Sequence, residues 1–224
     1  RVSAGQVFYD GSDLTSLSED ALDRLRGDRI AMIFQEPMTA LNPVYTVGDQ
    51  IAEVLIVHRQ ASRAAAWSGA ITLLAKVGLP DAEARARAYP HQLSGGMRQR
   101  AVIAMALACR PDVLIADEPT TALDVTVQAQ ILDLVMAAQK EMGMAVLFIS
   151  HDLAVVSEIA DRVLVMYAGR IVEEATAADL FAAPRHPYTR GLIDTVPDPG
   201  RHRRRLEAIP GTVPDLASLP QGCR

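Results

Sequence analysis

A chain of 224 residues, 50% of them apolar, is long enough to bury one full core, and its net charge of -5 with both signs interspersed excludes a general nucleic-acid binder, which needs a basic face. Two cysteines, Cys109 and Cys223, give no disulfide framework and fit a reducing compartment. No apolar run approaches the roughly 18 residues of a spanning helix and no signal-peptide pattern is visible, so membrane contact is expected through a partner.

In chain order, Gln6-Val7-Phe8-Tyr9 and the turn Asp10-Gly11 predict a strand pair, followed by a short helix over residues 18–26 and a strand over 30–34 that runs into Gln35. The chain opens at Arg1 directly in a strand pattern and stops at Gly222-Cys223-Arg224, so it reads as a fragment. A glutamine at a strand end, in a loop stiffened by Pro37 and Pro43, suits metal ligation or positioning of a water. Residues 46–89 are helical in pattern, with Ile51, Val54, Leu55 and His58 on one face, Trp67, Ile71, Leu74 and Ala75 on another, and Gly78 as a stop. His58 and His91 are read as packing and surface residues.

The next run carries the chemistry. In Leu93-Ser94-Gly95-Gly96-Met97-Arg98-Gln99-Arg100, Ser94 caps a helix with the apolar stripe Val102, Met105, Ala106 and Cys109, and two glycines let an anion approach the unpaired amides of the first turn. Arg98 and Arg100 add positive potential or lie on an exposed face. Val113-Leu114-Ile115-Ala116-Asp117-Glu118-Pro119 then reads as a buried strand delivering two carboxylates to its carboxyl end, where open α/β sheets bind ligands. Ile131, Leu134, Val135 and Ala138 form a helical stripe ending near Gly143, and Ala145-Val146-Leu147-Phe148-Ile149 is a second buried strand. Strand, helix, strand is a crossover unit, so both strands end on the same edge and Asp117, Glu118 and His151 face one cleft. A helix over 152–160 precedes a hairpin turned at Ala168-Gly169. Beyond Ala177 come a short helix to Ala182, His186-Pro187-Tyr188-Thr189-Arg190, a proline-rich tail and the basic run Arg201-His202-Arg203-Arg204-Arg205, read as a solvated segment.

Ser94-Gly95-Gly96, Asp117-Glu118, Thr120-Thr121-Ala122-Leu123-Asp124 and Ser150-His151-Asp152, in this order, resemble the signature motif, Walker B motif, D-loop and switch histidine of ATP-binding cassette (ABC) ATPases. Gln35-Glu36-Pro37-Met38-Thr39-Ala40-Leu41-Asn42-Pro43 resembles the Q-loop of the family's peptide-importer branch. Met97, where many relatives have glutamine, and the tail point to the same oligopeptide, dipeptide or nickel importers. The resemblance implies an α/β, P-loop NTPase-like fold: a mainly parallel sheet, a helical subdomain insertion and an antiparallel N-terminal β element. The implied division is 1–45, partial β element and Q-loop; 46–100, helical subdomain with signature motif; 101–176, RecA-like core; 177–224, C-terminal extension. By resemblance the catalytic residues are Glu118, which polarises the water, His151, which binds the γ-phosphate, and Gln35, which senses metal and water. Asp117 and Gln35 hold Mg2+, and Ser94, Gly95, Gly96, Asp117 and Asp124 contact ATP, the three signature residues and Asp124 across a head-to-tail dimer.

A search for Gly-x-x-x-x-Gly-Lys-Ser/Thr, which cradles the β- and γ-phosphates, finds nothing in the 224 residues. The expectation is a loop lost with the N-terminus and a fragment that hydrolyses ATP negligibly. Further cysteines that accompany an iron-sulfur cluster in the resembling group are absent after Cys223, so no cluster is assigned. The implied partners are a second ATPase subunit, identical or related, membrane permeases, and indirectly an extracytoplasmic solute-binding protein, at the cytoplasmic face of a bacterial inner membrane. The alternatives are a non-transport ABC protein acting on DNA or ribosomes and a non-catalytic regulatory module.

Overall fold

The computed structural model describes residues 4–36, 40–121 and 123–195. The basic run and Cys223 lie outside them, as do Pro37, Met38, Thr39 and Ala122. Contacts divide the chain into two units, Arg1–Ile149 and Ser150–Arg224.

In the first unit, β1 (Phe8–Tyr9) and β2 (Ser12–Asp13) pair antiparallel around Asp10 and Gly11, both in the left-handed region at φ 47° and 76°. Such a turn matches the twist of the two strands. Then come α1 (Glu19–Leu25), β3 (Ile30–Ile33), α2 (Val47–Arg59), α3 (Arg63–Lys76), α4 (Ala82–Ala86), α5 (Gly95–Leu107), β4 (Val113–Asp117), α6 (Val125–Met142) and β5 (Ala145–Ile149). Ser18, Thr46, Ser62, Ser94 and Asp124 cap α1, α2, α3, α5 and α6, each side-chain oxygen accepting a backbone N–H of the first turn. Each such cap contributes about 1 kcal/mol.

β3, β4 and β5 form one parallel sheet in that order, with Ile33 opposite Ala116 and Asp117 opposite Ile149. The strand-helix-strand crossover of the sequence is present. One face is buried through Ala31, Ile33, Leu114 and Ala116, joined in the main core by Val47, Ile51, Leu74, Ile103 and Ile131. Burying each large aliphatic side chain contributes about 1.5–3 kcal/mol.

Three expectations are corrected. β5 is not buried: Leu147 is 49% and Ile149 43% exposed, and Met32 of the same sheet is 37% exposed. Met32, Ile115 and Leu147 are register neighbours on the face opposite to the core, and apolarity alone does not say whether a sheet's second face is covered. α5 carries no simple stripe; Gln99, Ala101, Val102, Ile103, Ala104, Ala106 and Leu107 are all buried, because the helix packs against β3, α2, α3 and α6 at once. In α3 the buried residues are Ala66, Ala70 and Leu74, a stripe one residue back from Trp67, Ile71 and Ala75.

In the second unit, α7 (Leu153–Ile159) precedes the antiparallel hairpin β6 (Arg162–Tyr167) and β7 (Arg170–Thr176), then α8 (Ala177–Ala182) and α9 (Pro187–Asp194). Val163, Val165, Ala177 and Leu180 form its core. α9 was hidden in the His-Pro-Tyr-Thr-Arg run: Pro187 fits the first helical turn, and the His186 ring nitrogen accepts the Tyr188 N–H at 3.1 Å as the cap.

Candidate functional site

The parallel register brings the carboxyl ends of β3 and β4 to one edge, and there Gln35 meets Glu118. The Gln35 Nε2 donates to Glu118 Oε2 at 2.9 Å, and the Thr121 hydroxyl donates to the same oxygen at 2.9 Å. The Glu118 N–H reaches across to the Ile149 carbonyl at 3.0 Å, continuing the β4–β5 ladder by one bond. To make that bend Glu118 takes φ 45°, a left-handed conformation. It costs a non-glycine residue roughly 1–2 kcal/mol and recurs where side chains are aimed for chemistry. Asp117, one residue earlier, is half-buried at the end of β4.

Ser94 caps α5 by accepting the Met97 N–H at 3.3 Å, and Gly95 opens on free space, so the first-turn amides are approachable from solvent. Gly96 serves packing as well: the Cβ it lacks would stand 2.8 Å from Val127 Cγ1 in α6. Asp124 caps that same helix, its carboxylate accepting the Val127 N–H at 2.9 Å. The turn and the start of α6 are therefore neighbours.

Arg98 and Arg100 act as ties. Arg98 Nε donates to the Pro90 carbonyl at 2.7 Å, and Arg100 Nη2 donates to Gln130 Oε1 at 2.8 Å. Gln99 between them is buried and donates to the Pro119 carbonyl at 2.7 Å. Sequence reasoning passed over Gln99 and Thr121, and only their partners reveal them.

In the second unit His151 is exposed in the turn before α7, whose cap Asp152 accepts the Ala154 N–H at 3.0 Å.

Comparison with known proteins places the chain in a lineage. The family model described as ABC transporter matches residues 1–121. The chain belongs to the ABC transporter family. A second model, the oligopeptide/dipeptide transporter C-terminal region, matches residues 172–224. A putative peptide import ATP-binding protein of Brucella melitensis is 57% identical over 233 residues, covering 99% of this chain and 69% of that protein. The dipeptide transport ATP-binding protein DppD of Escherichia coli is 51% identical over 223 residues, covering 100% of this chain and 68% of that protein. Among solved structures, the dimeric post-hydrolysis state of the ATP-binding cassette MJ0796 bound to ADP and Pi matches with a TM-score of 0.70 at 30% identity, over 78% of this chain and 74% of that one. The expected ABC fold and its importer-type tail are thus found, and as an ABC transporter ATPase the chain has ATP hydrolysis coupled to transport as its family activity. Among the described residues no helix is long and apolar enough to cross a membrane.

Proposed function

We propose that the chain is the nucleotide-binding, ATP-hydrolysing subunit that energises an importer of peptides or related small solutes. The reading is supported above all by the Gln35–Glu118 hydrogen bond at the sheet edge, in a chain 57% identical to a peptide import ATP-binding protein.

In this reading Glu118 is the base, its carboxylate held by Gln35 and Thr121 and aimed by the left-handed backbone; it takes a proton from the attacking water. Gln35 orients that water and reports its presence to the partner. His151 donates to the γ-phosphate. The amides at Ser94, Gly95 and Gly96 bind the phosphates of a nucleotide held mainly by a second ATPase subunit, and Asp124 lies at the same interface. The carboxylate of Asp117 and the amide oxygen of Gln35 are hard donors suited to Mg2+, which keeps most of its waters and relies on substrate phosphates; a sparse protein donor set therefore fits. That ion supplies neutralisation of phosphate charge. We assign residues 46–100 to the permease-facing helical subdomain, 1–45 and 101–176 to the catalytic core, and 177–224 to the importer-type extension, at the cytoplasmic face of the bacterial inner membrane.

The 224 residues hold no Gly-x-x-x-x-Gly-Lys-Ser/Thr loop, so by themselves they bind ATP poorly and turn it over negligibly. Isothermal titration giving micromolar affinity for the 224-residue chain contradicts that. The transport role is tested by purifying the complete gene product from membranes: permease subunits are expected to accompany it and peptide to stimulate its ATP turnover. Isolation without a permease, and turnover indifferent to peptide, removes the role.

A further inference from the structure

We infer that Gln99 is a positioning residue that ties the Ser94–Gly96 turn to the Glu118 loop, so that the anion-facing helix start and the base move as one piece. The inference rests on the reading of Glu118 as base. Gln99 lies one turn inside α5 and is 1% exposed among Ala101, Val102 and Ile103. An amide enclosed by apolar residues is costly unless hydrogen-bonded, and its bond goes to a point far along the chain, the Pro119 carbonyl at 2.7 Å. Leucine or methionine would fill the same volume; the bond is what the amide adds.

Pro119 is the residue after Glu118, so its carbonyl fixes the peptide leaving the left-handed bend. The bend is held at four further points: the Glu118 N–H on the Ile149 carbonyl at 3.0 Å, the Thr121 N–H on the Glu118 carbonyl at 3.1 Å, and the Thr121 hydroxyl and the Gln35 amide on the Glu118 carboxylate, each at 2.9 Å. Of these five ties, the one from Gln99 comes from α5. A hydrogen-bonded helix transmits displacement as a rod, so a shift of the Ser94–Gly96 turn on binding phosphate reaches Pro119 through one side chain. Occupancy of the turn by a nucleotide shared with a second subunit is thereby reported to the base.

The test uses the complete gene product and four proteins: wild type, Gln99→Met, Glu118→Gln and the double variant. Gln99→Met keeps volume and removes the donor. Its kcat for ATP is expected to fall roughly tenfold, equivalent to about 1.4 kcal/mol of barrier, with KM within about twofold. In the Glu118→Gln background the same substitution is expected to cause no further loss, because the group it positions is already gone. A loss that multiplies in full, or an unchanged kcat in Gln99→Met, overturns the inference while leaving Glu118 as base. Unchanged turnover in Glu118→Gln overturns the underlying reading instead. Should Gln99→Met not accumulate in folded form, Gln99→Glu replaces it: a neutral carboxyl donates the same bond and a carboxylate cannot, so turnover relative to wild type is expected to fall as pH rises. A ratio flat with pH overturns the inference.

Discussion

Glu118 and Glu173 are both held by hydrogen bonds, yet in opposite ways. Glu118 sits half-buried at a sheet edge, on a strained backbone, with its carboxylate bonded to two side chains, Gln35 and Thr121. Glu173 is 9% exposed on β7 and accepts the backbone N–H groups of Arg185 at 2.8 Å and His186 at 2.9 Å, which lie just ahead of α9. Burial pushes the Glu173 carboxyl up, but the neighbouring Thr189 hydroxyl, the two amides and the His186 ring together hold it below the usual carboxylate range. The Thr189 oxygen makes no hydrogen bond of good geometry, so the amides carry most of that effect. A carboxylate bonded to fixed amides braces a fold, and one bonded to side chains on a bent backbone can be rearranged by a substrate.

That contrast is easiest to break at Glu118. Glu118→Gln is expected to lower steady-state ATP turnover of the complete gene product by roughly 10²–10⁴ while nucleotide binding and the melting temperature stay near wild type. A matching loss of thermal stability would make it a brace like Glu173. The reverse holds for Glu173→Ala, which takes the acceptor from two part-buried backbone N–H groups: a cost of about 1–3 kcal/mol is expected, read as a lower denaturation midpoint with little change in turnover per folded molecule. The same carboxylate gives a pH signature. Its folded pKa is depressed, so its stabilisation is present above the unfolded value near about 4.3 and is lost as pH falls through the folded value. Melting curves between pH 7 and pH 3 should therefore fall less steeply for Glu173→Gln than for wild type; parallel curves would remove the linkage. The comparison sharpens further at the turn. Gly96→Ala places a Cβ 2.8 Å from Val127 Cγ1 and should cost about 1–3 kcal/mol, with Val127→Ala in the same chain restoring most of the loss in thermal melts.

The sequence shows the ends of the strands and the capped starts of the helices plainly, because both are local. Asp117 and Glu118 follow an apolar run, Ser94 and Asp124 precede helical patterns, and the crossover rule supplies the parallel register. Gln99 could not be recognised in this way, since a glutamine on a helix reads as solvated until the carbonyl it meets 20 residues later is known. Arg98 and Arg100 are ambiguous for the same reason: a cation announces its charge, whereas the acceptors they meet, the Pro90 carbonyl and the Gln130 side chain, have no sequence signal. The left-handed bend at Glu118 is likewise silent, being carried by a residue type that rarely adopts it. α9 was missed because a proline reads as a break, although it also opens helices.

The partly exposed second face of the three-stranded sheet has a consequence for anyone handling the 224-residue chain. Met32, Leu147 and Ile149 each offer water an oily flank on that face, and a net charge of -5 spread over the whole molecule does little to keep two such faces apart. The chain should bind fluorescent hydrophobic dyes strongly, scatter light as its concentration rises, and become better behaved when a charge is written into the middle of that face, for instance with Leu147→Lys.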